Sequence, residues 1–183
     1  MELELKAERA RLNSLVAVTV ALLSVAMAVG NIKNNNTVQQ MTFAKATSVD
    51  IWNEYQATRI KLHTNEVAIG QIGLGLDNPA ARAAEVANLQ KKVGKYTDES
   101  TELMTKAKGE DARYRALNIR HDQFDVAEAL DSIAIALAAV AALTDIFWLL
   151  CGSWAFGALG IITAISGFAG ITLYPEFLAR ALG

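Results

Sequence analysis

Between residues 12 and 32 the chain reads LNSLVAVTVALLSVAMAVGNI, a run without one charged side chain. A segment of that length and polarity can cross the hydrocarbon core of a bilayer as one helix, which takes about 20 apolar residues. The rival reading is a secretory signal peptide, because Lys6, Arg9 and Arg11 precede the run and Ala26-Met27-Ala28 mimics a cleavage site. The anchor reading is preferred, with residues 1–11 as an N-terminal tail and 12–32 as transmembrane helix 1.

Two further apolar stretches follow late in the chain. Charge-free sequence from Ser132 to Thr144 is too short to span alone. A second helix over 124–144, taking Glu128 and Asp131 into its first turns, reaches the needed length. Polar Thr144 and Asp145 suit a tight turn at the water boundary, and a third span over 146–173 then returns. Trp148 and Trp154 near its start and Tyr174 at its end fit the two interfacial belts. Pro175 closes it, and residues 175–183, PEFLARALG, read as a short interfacial C-terminal helix.

Composition excludes several classes. The 183 residues are 52% hydrophobic and 20% charged with a net charge of −2, so no global basic field argues for nucleic acid. The single cysteine, Cys151, forbids an intrachain disulfide. Two prolines and the lack of strand alternation point to an all-α chain.

Residues 33–121 form the segment between the first two spans. Its one clear break is GQIGLGLDNP, with a turn expected near 70–79, Asn78 as a helix cap and Pro79 at the first position of the next helix. Upstream, 37–69 is helix-compatible. Downstream, apolar residues recur at heptad a and d spacing: Val86, Leu89, Val93, Tyr96, Leu103, Ala107, Tyr114, Leu117 and Phe124, with Ser100, Glu110 and His121 interrupting. The expected architecture is an antiparallel helical hairpin of coiled-coil type, standing off a membrane crossed by three helices.

That seam runs on into Asp122, Asp125, Glu128 and Asp131, four acids at three-residue spacing. Each step falls ~60° short of a full turn, so the four wrap about half the helix. Two readings compete. In the first the acids cap a helix N-terminus, where the backbone dipole favours negative charge, and pair with basic neighbours. In the second, copies of the chain around an axis would make them a carboxylate ring that collects cations. The first is preferred, because the second span beyond Asp131 lacks a polar lining.

DIWNEYQATRIKLH, residues 50–63, resembles a motif of an uncharacterised bacterial membrane protein family, domain of unknown function 4337. There an aspartate, a tryptophan, a Tyr-Gln-Ala triplet and a basic residue follow the first membrane segment; the matching residues are Asp50, Trp52, Tyr55, Gln56, Ala57 and Arg59. HDQFDVAEALDSIAIALAAVAALT, residues 121–144, is similar to the acidic start of that family's second apolar segment. The resemblance covers nearly the whole chain and implies architecture and location. It implies no activity.

No enzyme signature is present: no phosphate-cradling glycine loop, no paired-cysteine metal spacing and no histidine-glutamate metalloprotease helix. Cys151 lacks a histidine in its layer to act as a base. His121 with Asp122 and Asp125 are candidates for chelating a cation, as are His63 and Glu66, although a surface ion pair or capping contact is the preferred reading for each. Ser153, Gly157, Gly160, Ala164 and Gly167 alternate at spacings of four and three, a small-residue stripe that lets membrane helices approach closely. Ala127, Ala134, Ala138 and Ala141 of the second span are its expected counterpart, within one chain or between copies. Trp52, Tyr55, Gln56 and Arg59 are a packing or interaction motif, with the rings expected to pack on the second hairpin helix.

The expectation is therefore a non-enzymatic multi-pass protein of the bacterial inner membrane without a cofactor. Its partners would be the lipid bilayer, further copies of itself and a membrane-protein partner, and its hairpin would mediate self-association. A homo-oligomeric cation channel is the alternative. The basic residues before the first span favour a cytoplasmic N-terminus and a periplasmic hairpin.

Overall fold

The computed structural model describes residues 2–75 and 78–171. It is all-α: α1 Glu2–Gly75, α2 Pro79–Thr144 and α3 Phe147–Ala169, with no strand among the described residues. Each of the three contains a stretch long and apolar enough to cross a membrane.

Local chemistry explains where the helices start and stop. The Asn78 Oδ1 accepts the backbone N–H groups of Ala80 at 3.0 Å and Ala81 at 3.3 Å, which satisfies donors at the start of α2 that have no partner in their own helix. Pro79 brings no N–H to satisfy there. Between α2 and α3, Asp145 takes a left-handed φ of 57°, a conformation short polar residues tolerate. Gly170, with φ 70°, ends α3, and the Ile171 N–H reaches back to the Ser166 carbonyl at 3.0 Å, as in a Schellman cap. The third helix was expected to run to Leu173; it stops at Ala169 because a left-handed residue cannot continue it. The expected interfacial helix over 175–183, with Tyr174 and Pro175, lies outside the described residues.

A second expectation also changes. No helix begins near Phe124, since α2 runs unbroken from Pro79 to Thr144. The four acids therefore sit in mid-helix, where the backbone N–H groups are already bonded and no dipole terminus favours them. The capping reading of the acids falls.

The chain divides into two compact units. Unit 1 comprises Met1–Gln40 and Ala116–Gly183. Within it α1 and α3 run parallel: the Trp154 Nε1 donates to Thr19 Oγ1 at 2.9 Å, and Lys33 Nζ lies 6.0 Å from the centre of the Phe168 ring. The α2 segment runs antiparallel to both, as shown by Asn34 with Asp125 and Met27 with Ser132. Leu12, Val16, Ala138, Ala141 and Leu150 form a core cluster. Leu22, Val25, Leu159 and Ile162 face outward, the apolar exterior that a lipid-facing surface requires. Arg9 and Asp145 pair at one end.

Unit 2, Met41–Arg115, is an antiparallel pair of helical segments. Ser48 and Trp52 of α1 bond Asp111 of α2, while Lys45 lies over Tyr114 and Lys61 over Tyr96. The a and d residues Leu89, Leu103 and Ala107 are buried, as is Ser100, which had looked like an interruption. The Ser100 hydroxyl donates to the Thr97 carbonyl at 2.9 Å within its own helix, so the seam continues without an unpaired donor.

Candidate functional site

In unit 1 the sequence's acids separate. Asp131 is 2% exposed and turned toward α3. A Cβ added at Gly160 would collide with the Asp131 Oδ1 and lie 3.1 Å from the Ala127 carbonyl oxygen, so this carboxyl occupies the space that glycine leaves. Its Oδ1 has no hydrogen-bond partner among the described residues. Asp125 is exposed and faces α1 instead, accepting a bond from Asn34 Nδ2 at 2.7 Å. Asp122 accepts from Asn118 on its own helix at 3.2 Å. Desolvation pushes the Asp122 carboxyl above its ordinary value, with the neighbouring His121 opposing the shift and Asp125 adding to it. Glu128 is half-buried. The four do not present one common face.

The metal candidates are likewise not brought together. His121 Nδ1 meets the Asn34 Oδ1 at 2.8 Å, and its Nε2 stands 3.5 Å from Asp125, so the histidine and Asp125 share a bridge to α1 through Asn34. His63 and Glu66 form an exposed pair at 3.4 Å. Among the described residues no three His, Cys, Asp or Glu side chains group as a metal set.

The small-residue stripe packs within one chain. Ser153, Gly157, Gly160 and Gly167 are buried on α3, whereas Ala164 is half-buried. They meet Ala127, Ala134 and Phe124 of α2 and Leu23 of α1. A buried amide extends this interface: the Gln123 Nε2 donates to the Ser166 Oγ at 3.1 Å and to the Ile171 carbonyl at 2.9 Å. The sequence reading missed Asn34 and Gln123. Each is a polar residue beside the apolar run of its helix, a signal that marks an interhelical bond only once the partner helix is known.

In unit 2 Asp111 organises the aromatic motif. The Ser48 Oγ donates to one oxygen at 2.7 Å and the Trp52 Nε1 to the other at 3.1 Å. Tyr55 packs edge-on against Trp52, with centroids 5.4 Å apart. Both rings are half-buried, while Gln56 and Arg59 are exposed. The two donated bonds hold the Asp111 carboxyl below its ordinary value of 3.8, the Ser48 bond contributing most, then Trp52. A depressed folded-state value means that this contribution to stability is complete above 3.8 and is lost as pH falls through the lower folded value. Thermal melts across acid pH should show unit 2 weakening below 3.8, and Asp111→Asn should flatten that limb; an unchanged acid limb in the variant would contradict it.

The remaining feature of unit 2 is an asymmetric surface. Among the described residues its exposed large apolar side chains all stand on α1: Phe43 at 72%, Val49 at 46%, Ile60 at 67% and Val67 at 45%; none of α2 between 79 and 115 is comparably exposed.

The family model described as a domain of unknown function (DUF4337) matches residues 12–170. No curated protein matches the chain, and no solved structure does.

Proposed function

We propose a function from geometry, because the chain belongs to the DUF4337 family and that description names no activity: the protein is a non-enzymatic scaffold or accessory subunit of a bacterial inner membrane. Three spans anchor it, and a helical hairpin outside the bilayer carries its self-association and its contacts with protein partners. The observation that supports this reading is the apolar outer face of α1 in unit 2. A two-helix unit bathed in water has little reason to display Phe43, Val49, Ile60 and Val67 along one helix and nothing similar on the other. The basic residues ahead of the first span favour a cytoplasmic N-terminus and a periplasmic hairpin. The cation-channel alternative is weaker, because Asp131 is turned into its own chain and Asp125 bonds Asn34.

Native mass spectrometry in mild detergent should show a defined homo-oligomer, and cross-linking in native membranes should give the same stoichiometry. A monomer that retains full helicity in both settings would remove the basis for the reading.

A further inference from the structure

Through unit 2, α1 carries two seams. The inner one is buried or half-buried against α2 and includes Met41, Ala44, Ser48, Tyr55, Thr58 and Leu62. Its spacing alternates between three, four and seven residues. A second series repeats in step with it on the outer side. Ala46, Asn53, Ile60 and Val67 are seven apart, and Val49 and Gln56 fall three residues after the first two; all six are exposed. In heptad terms the first four are a positions and the last two are d positions. No Asp, Glu, Lys or Arg stands on either row between residues 42 and 70, and His63 is its one ionisable member. The exposed charges of this segment stand beside the rows instead: Lys45, Arg59 and Glu66 at g, Asp50 at e, and Glu54 and Lys61 at b.

We propose that this outer seam is the contact between two copies of the chain, joined as a parallel, in-register coiled coil of their first helices. The inference rests on the scaffold reading above and names its partner. Three features select a second copy. Ile60 and Val67 are β-branched residues at a, where a two-stranded parallel coil accommodates them, and the d row beside them holds Val49, Gln56, His63 and Gly70. Asn53 is a lone polar a residue, which specifies register when it meets its own counterpart, at some cost in stability. In a parallel dimer each g residue faces the e residue five positions later in the partner, which sets Lys45 against Asp50 of the second copy. The same rule sets Arg59 against Thr64 and Glu66 against Gln71, so no like charges meet. Lys45 already lies over the Tyr114 ring of its own chain at 5.6 Å, and its ammonium retains donors for a carboxylate on the other side. The parallel direction follows from anchoring. α1 is unbroken from Glu2 to Gly75, and two copies inserted in one bilayer enter it the same way round.

The test uses the full-length chain in native membranes with Cys151→Ser as background. Val49→Cys and Ile60→Cys, each alone, should form same-residue disulfide dimers under mild oxidation, whereas Thr105→Cys on the exposed side of α2 should not. Lys45→Asp should lower the cross-linked fraction roughly fivefold by making two like-charge contacts, and adding Asp50→Lys should restore it. Disulfides formed only when Val49→Cys and Ile60→Cys proteins are mixed would reveal antiparallel pairing and overturn the inference. So would an oligomer in which neither outer-seam cysteine cross-links, with the scaffold reading intact. A protein that is monomeric by native mass spectrometry overturns both.

Discussion

Gly160→Val will destabilise the purified protein by about 3 kcal/mol, the upper part of the usual range for overpacking a well-filled interior. The reason is what stands opposite. The first carbon of any side chain at 160 meets the Asp131 carboxyl and the backbone oxygen of Ala127, and a backbone atom in mid-helix cannot swing aside. The other α3 glycines grade the effect. At Gly157 a new Cβ would lie 2.7 Å from the Leu23 Cδ2, the end of a flexible side chain that can move. At Gly152 the nearest atom is the Leu137 Cδ1 at 3.7 Å, an ordinary contact, and alanine there brings its helix-propensity gain of up to about 1 kcal/mol relative to glycine. Thermal melts in one detergent should therefore rank the alanine variants Gly152, Gly157, Gly160 from most to least stable. Asp131→Ala should recover much of the Gly160→Ala loss in a double-mutant cycle, because it removes the nearer of the two obstacles. Equal melting of the three alanine variants would show that α3 does not approach α2 as described.

Replacing Trp52 and Tyr55 together with alanine should cost unit 2 about 3 kcal/mol. A fully buried large ring is worth roughly 3–5 kcal/mol on truncation; both rings here are half-buried, and the loss of the indole bond to Asp111 adds about 1 kcal/mol. Trp52→Phe separates the parts, since it keeps most of the ring packing and deletes only the donor to the Asp111 carboxylate. Denaturant unfolding monitored by helicity would give the double variant the largest shift, Trp52→Phe a small one, and the outward Arg59→Ala almost none. Unchanged stability in the double variant, together with lost capture of a protein partner, would assign the pair to recognition instead of packing.

Much of the architecture was legible in the chain itself. The charge-free run after Arg11 can hardly be anything but a long apolar helix, because its length and composition leave no polar face. Asn78-Pro79 reads as a helix start because both residues act locally, one by accepting orphan N–H groups and the other by lacking one. The a and d positions of α2 are legible because a helix repeats its faces every few residues, so spacing alone tells which side is buried. The small-residue stripe of α3 follows from the same periodicity.

What periodicity cannot carry is the identity of the group across the interface. Asp131 and Asp125 are alike in sequence, both acids three residues from another acid. Only the arrangement of three helices decides that Asp125 meets Asn34 while Asp131 fills the gap above Gly160. Asp111, one residue after a seam interruption, becomes the acceptor for Ser48 and Trp52 only when α1 and α2 pair antiparallel. Helix continuity is also a tertiary matter. The sequence around Phe124 changes polarity sharply, which suggested a new helix, yet backbone hydrogen bonding is indifferent to that change and α2 passes straight through. Side-chain spacing is a local property written along the chain; a contact depends on a second helix whose register and direction emerge only when the whole interface packs at once.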